Sequence, residues 1–208
     1  MGVSSENGKR EAIIKASSRV FPSLGYHNAS VEDIIKMAGV ARSTFYSYFS
    51  SKRELFVEVM TGIMNEILER VEAGVDEVIE GFKRGDPTQV MIVDDITAMM
   101  SEVFHYIEQN KGMTKTFLHE LVGIDSDMTA LFHNFEERVT DQFERMIVFG
   151  ERTGVIRKVK ERRSAEFVVG GLVHLGRNIS AGVDRYDIDE MSRDFVELHL
   201  MGLLERAA

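Results

Sequence analysis

The chain has no cysteine, no tryptophan and only two prolines, Pro22 and Pro87, in 208 residues. Without cysteine there are no disulfides and no thiolate metal sites, which removes most structural-zinc designs. The lack of thiols accords with a cytoplasmic setting. No apolar run is long enough to span a bilayer, so no membrane partner is expected. The opening residues, MGVSSENGKREAII, lack the apolar centre of a secretion signal. Neither an internal repeat nor a low-complexity segment interrupts the pattern. A phosphate loop, a nucleophile elbow and an H-E-x-x-H helix are all missing, and Gly170-Gly171 is too bare for a nucleotide fingerprint. No catalytic residue, metal ligand or cofactor is therefore assigned, and no enzyme is expected.

What is present is helix-forming sequence. Alternating runs are few, and Ala, Leu, Met, Glu, Lys and Arg dominate segments with apolar residues every three or four positions. The reading is all-α, with about nine helices. Residues 8–24 form the first, with Ile13, Ala16, Val20 and Phe21 on one stripe, Pro22 tightening its last turn and Gly25 closing it. Ser30 caps the second, with Asp33 as a near-capping box, and Gly39 stops it. A short third helix covers about 42–49. Ser50 or Ser51 caps a long fourth helix that runs through Phe82. Gly85-Asp86-Pro87 punctuates the chain before a helix at about 87–109, and Asn110-Lys111-Gly112 breaks it again. Further helices are expected at about 113–123, from Asp125–Asp127 to Thr153-Gly154, at 162–182 and at 187–206. Residues 1–51 read as one domain and residues 52–208 as a second.

Charge is unevenly spread. Residues 1–53 hold eight Lys and Arg against four Asp and Glu, a balance of +4, whereas the whole chain carries −9. A basic quarter on an acidic body suggests an anionic partner for that quarter. Within it, the capped helix, the turn at Gly39-Val40 and the short aromatic helix make a helix-turn-helix pattern, in which the second helix enters the major groove of double-stranded DNA. Arg42 suits a bidentate contact to guanine, and Ser43 reaches a base or a phosphate. Thr44, Tyr46 and Tyr48 offer hydroxyls to phosphates. Ser30 and Lys52 stand at helix N-termini that favour phosphate. Phe45 and Phe49 should face inward.

The block REAIIKASSRVFPSLGYHNASVEDIIKMAGVARSTFYSYFSSKRELF, part of residues 9–56, resembles the DNA-binding domain of the TetR family of transcriptional regulators. The resemblance rests on Ala16, Phe21 and Gly25-Tyr26. It continues through Ser30-Val31, Ile34, Ala38-Gly39-Val40, Thr44-Phe45-Tyr46, Tyr48-Phe49, Lys52 and Leu55-Phe56. Pro22 and Ser50-Ser51 depart from the usual pattern. The resemblance implies a homodimer on a near-palindromic operator, with the last two helices of each subunit forming the dimer interface. It also implies a repressor released by a small apolar or amphipathic effector, whose binding the long fourth helix transmits. Phe167, Gly171, Leu175, Phe195, Leu198 and Gly202 are the candidate dimer residues. Gly170, Gly171 and Gly176 each cost about 1 kcal/mol of helix propensity relative to Ala, which a close helix approach would justify.

A bundle with interior Met and Phe can hold an apolar ligand. Met100, Phe104, Phe117, Leu121, Phe135, Val139, His174 and Asn178 are the candidate lining, against the alternative of a filled core. Two readings stand for His174: a structural hydrogen bond or a ligand contact, in either case as a buried side chain among Leu172, Val173 and Leu175. Glu102, His105, His119 and His133 leave open a carboxylate–histidine metalloprotein or a metal-sensing regulator, provided that their helices converge.

Overall fold

Each of the periodic segments folds as a helix. The computed structural model describes the backbone of residues 3–84, 89–123, 125–182 and 187–203, and the side chains of 8–84, 92–123, 125–182 and 187–200. Among the described residues the order is α1 (Val3–Leu24), α2 (Val31–Ala38), α3 (Arg42–Tyr48), α4 (Lys52–Arg84), α5 (Gln89–Gln109), α6 (Lys111–Glu120), α7 (Ser126–Arg152), α8 (Glu161–Ala181) and α9 (Ile188–Leu203). Among the described residues β pairing is confined to isolated bridges, one between Val122 and Asp125 and one at Ile156. The punctuation at Gly85-Asp86-Pro87, and Val183-Asp184, lie outside the described residues. Gly182 closes α8 in the left-handed region, φ +73°.

Two boundaries differ from the sequence reading for a visible reason. Asn110-Lys111-Gly112 does not break the chain for long. The Asn110 carbonyl already accepts the Thr114 N–H at 3.1 Å and its hydroxyl at 3.2 Å, so α6 starts at Lys111. At its far end α6 stops at Glu120, and a turn with Gly123 at φ +92° leads to Asp125. The Asp125 carboxylate then accepts the N–H groups of Asp127 and Met128, both at 3.0 Å, and caps α7.

By packing, the chain divides into two compact units. One takes in residues 1–64 with 110–130, the other residues 65–109 with 131–208. Residues 110–130 thus side with the N-terminal helices, which a boundary drawn at residues 51 and 52 does not anticipate. Helices α4 and α7 each contribute one portion to either unit.

In the first unit α1 packs against α2, α3 and α6. Ile13, Phe21, Ile34, Phe45, Leu55 and Phe56 are fully buried there. Each such side chain contributes about 1.5–3 kcal/mol relative to exposure. The Phe21 and Phe56 rings meet edge-on at 5.0 Å. Pro22 remains inside α1, and its ring fills the space where a Gly112 side chain would stand. The departure at Pro22 is therefore matched by a glycine on the helix it touches.

In the second unit α5 packs against α8 and α9. Met99 occupies the space beside Gly74, and the Phe195 ring covers Gly171, where an added Cβ would lie 2.7 Å from the ring. Ion pairs line the outside: Arg162 gathers Glu137, Asp141 and Glu144, Arg145 meets Asp76, and Arg193 meets Asp94.

Candidate nucleic-acid interface and effector cavity

The first unit builds the helix-turn-helix pair α2 and α3 from a few local constraints. Ser30 is extended (φ −114°, ψ 162°), and its hydroxyl accepts the Asp33 N–H at 3.2 Å. The Asp33 carboxylate in turn accepts the Ser30 N–H at 3.0 Å, so the expected capping box is complete. The Ser30 hydroxyl and then its N–H hold the Asp33 carboxyl below the usual carboxylate range. At the other end of α2, Gly39 adopts φ +66°, and a residue with a Cβ would pay roughly 1–2 kcal/mol there. That turn sets the start of α3.

Along α3, Phe45 and Phe49 are buried as the spacing requires. Arg42, Ser43 and Tyr46 are exposed, while Thr44 and Tyr48 are half-buried. The Arg42 guanidinium pairs with Glu32 of α2 and lies 5.5 Å from the centre of the Tyr46 ring. Glu32 had no role in the sequence reading. Its signal was available: it sits beside the capping residue, off the apolar stripe. The same holds for Met37, which is 51% exposed and falls between the inward positions Ile34 and Ala38.

Lys52 has another task than the one read from the sequence. Its ammonium donates to the carbonyl oxygens of Tyr26 at 2.6 Å and Ala29 at 2.7 Å, with His27 at 3.5 Å. With its donors so placed it fastens the loop before α2 rather than facing outward to a phosphate. Ser30 is similarly engaged, its hydroxyl donating to Asp33, so at that helix start the backbone N–H groups are the donors left for a phosphate. Arg53 bonds Asp127 at 2.8 Å and Asp125 at 3.3 Å, which joins α4 to the start of α7. Glu120 of α6 accepts the Tyr26 N–H at 2.7 Å.

The second unit contains an apolar cavity of about 50 Å³. Phe82, Met100, Phe143, Ile147, Ile156 and His199 are among the side chains around it. A site for a drug-sized ligand holds roughly 300–1,000 Å³, so side chains must move before one fits. Of the lining proposed from the sequence, Met100 is in place. Phe104 and Val139 are buried away from the cavity, and Phe135 is half-buried. Phe117 and Leu121 belong to the first unit, where the Phe117 ring lies 6.5 Å from that of Phe56. His174 is exposed, not buried, and its Nε2 stands 3.4 Å from Asn178 Nδ2. Neighbours in sequence are spread around a helix, so Leu172, Val173 and Leu175 do not enclose it.

Two side chains on α8 and α9 stand out in the opposite sense. Phe167 is 69% and Leu198 75% exposed. Gly170, one turn from Phe167, has open space where a Cβ would be. Gly171 and Phe195 meet each other within the chain, and Leu175 is half-buried. Gly202 lies outside the residues whose side chains are described.

The histidines do not converge. His105 Nε2 is 3.2 Å from Asp189, Glu102 pairs with Arg70 at 3.5 Å, and His133 lies 4.0 Å from Glu136. His119 is on α6 in the other unit. No group of three or more metal-ligating side chains forms among the described residues.

Residues 13–59 match the family described as bacterial regulatory proteins, tetR family. Over this N-terminal segment the chain is similar to the TetR family. The chain is 28% identical over 106 residues to the HTH-type transcriptional regulator YdgC of Bacillus subtilis, which covers 51% of each. It thus spans about half the length of that relative. It is 21% identical over 194 residues to the fatty acid metabolism regulator protein of B. subtilis, covering 92% of this chain and 93% of that one. The crystal structure of FadR from B. subtilis in complex with stearoyl-CoA superposes with a TM-score of 0.74 at 20% identity, over 93% of this chain and 98% of that one. At this identity the likeness establishes the shared all-α fold.

Proposed function

We propose that this chain is a dimeric, effector-responsive transcriptional regulator. It binds a near-palindromic operator in double-stranded DNA, acts as a repressor in the cytoplasm, and leaves the DNA when a small apolar or amphipathic molecule occupies the bundle. The observation that carries this reading is the outward face of α3, where Arg42, Ser43 and Tyr46 are exposed over a buried Phe45 and Phe49. Such a helix presents its first residues to base edges. The functional division falls near residue 51, with the recognition helices before it and effector binding and dimerisation after it. Phe167 and Leu198 support dimerisation through α8 and α9. The apolar cavity, and relatives named for fatty acid metabolism or holding stearoyl-CoA, support an acyl-type effector. The shift an effector produces is limited to its difference in affinity between the DNA-binding and released states.

The test is selection of bound fragments from a pool of genomic DNA across a salt series. The expected result is a near-palindrome bound with a steep salt dependence. Uniform weak binding to every fragment would refute the regulator reading.

A further inference from the structure

Among the described residues, Phe149 of α7 lines both the apolar cavity and a separate surface recess of about 460 Å³. Its ring packs at 5.7 Å against Phe82, a wall of the cavity. On the recess side, Ile79, Val148 and Phe149 form an apolar floor, and Asp141, Glu144, Arg145 and Arg152 complete the lining. The α7 residues 145, 148, 149 and 152 share one helix face by their spacing.

The charges around this recess are not all alike. Asp141 and Glu144 are held by Arg162, and Arg145 is held by Asp76. Arg152 has no ion-pair partner among the described residues. Its place in the last turn of α7 suits any cation, because of the helix dipole. The dipole does not, however, call for an apolar floor beside it. An arginine fork matches a carboxylate or a phosphate oxygen pair, whereas the floor and the cavity behind Phe149 accept only hydrocarbon.

We infer that recess and cavity are two halves of one site for a single-chain amphipathic anion, whose carboxylate or phosphate head sits on Arg152 and whose apolar chain passes Phe149 into the bundle. This rests on the effector reading above and adds the head-group chemistry and the route. A rotation of the Phe149 side chain joins the two spaces, and the ligand's own chain then supplies the contacts that Phe149 gives up.

The experiment is calorimetric titration of the full chain with decanoate, decyl phosphate and 1-decanol, which share a tail and differ in head. The expected result is that at least one anion binds tenfold or more tighter than the alcohol. The tighter of the two anions identifies the head. Arg152→Gln is expected to abolish that preference and leave 1-decanol unchanged. Phe149→Trp is expected to weaken all three by tenfold or more. Equal affinity for alcohol and anions, a preference that survives Arg152→Gln, or indifference to Phe149→Trp overturns the two-part site while leaving the cavity intact. Failure of all three compounds to bind the native chain overturns the effector cavity itself.

Discussion

The ε-ammonium of Lys52 spans from the first turn of α4 to the loop before α2, 2.6 Å from the Tyr26 carbonyl, 2.7 Å from that of Ala29 and 4.4 Å from the centre of the Tyr26 ring. Burial pulls its pKa below the ordinary lysine value. Hydrogen bonds to a charged group contribute about 1.5–3 kcal/mol each, and the two carbonyls lose their partner together if the ammonium is removed. Lys52→Met is therefore expected to lower the urea midpoint of the first unit, at a cost of about 1–3 kcal/mol. The salt slope of DNA binding should stay the same. A slope lowered by about one phosphate contact with no change in the urea midpoint would return Lys52 to the DNA face.

On the proposed DNA-binding reading, Arg42 is already positioned in the free protein. Glu32 pairs with it and the Tyr46 ring lies beneath it. An Arg fork on guanine is worth about 1–3 kcal/mol of discrimination. Arg42→Ala is expected to reduce preference for the operator by roughly tenfold to a hundredfold at its guanine position, as read by competition binding. Glu32→Gln should raise affinity for all sequences, because it removes a carboxylate from the phosphate-facing side. If Arg42→Ala weakens every sequence equally, the side chain is a phosphate contact and not a base reader.

What the sequence made legible was local. Ser30 with Asp33, Gly39, the inward Phe45 and Phe49 and the cap at Asp125 are decided within a few residues, by hydrogen-bond geometry, helix period and positive φ. Partner choice was less legible. The apolar stripe that holds Phe117 and Leu121 says that these residues are buried, not in which unit, and the Gly112 contact with Pro22 settles that only in three dimensions. His174 was misplaced because apolar neighbours at adjacent positions do not share a helix face. The cavity side chains Phe82, Phe143 and Ile147 carry the same periodic signal as any core residue, and a gap between them leaves no mark on the sequence.

Three capping carboxylates make the stability of the first unit pH-dependent. Asp33 is held below the usual range by the Ser30 hydroxyl and N–H, and Glu54 by those of Ser50. Asp125 is held there by the Met128 N–H and then by Arg53. Each has a lower pKa folded than unfolded, so the unfolded chain binds more protons as pH falls toward 4, and stability drops. The contribution is complete above the unfolded carboxylate value of about 4 and is lost as pH falls through the native values. Urea midpoints are expected to hold from pH 7 to about 5 and to decline below that. Asp125→Asn should flatten the decline. An identical decline in that variant would mean that other groups carry the pH dependence.

Phe167 and Leu198 are the two most exposed large apolar side chains described, at 69% and 75%. A scattered exposed apolar residue needs no explanation. Phe167 one turn from Gly170, which has open space, together with Leu198 on α9, suits a face that a second copy covers. Removing such a side chain from water contributes about 1.5–3 kcal/mol, and a C2 interface counts each one twice. Phe167→Glu and Leu198→Glu are each expected to turn a dimer into a monomer in sedimentation equilibrium, with helix content unchanged. Gly170→Leu should do the same if the partner's helix approaches closely there. Gly170→Ala separates the two effects: in a free helix it gains about 1 kcal/mol, so a variant that is more stable as a monomer yet weaker as a dimer places the crossing at Gly170. A dimer that survives all four substitutions has its interface on another face, and the exposure of Phe167 and Leu198 then has a different cause.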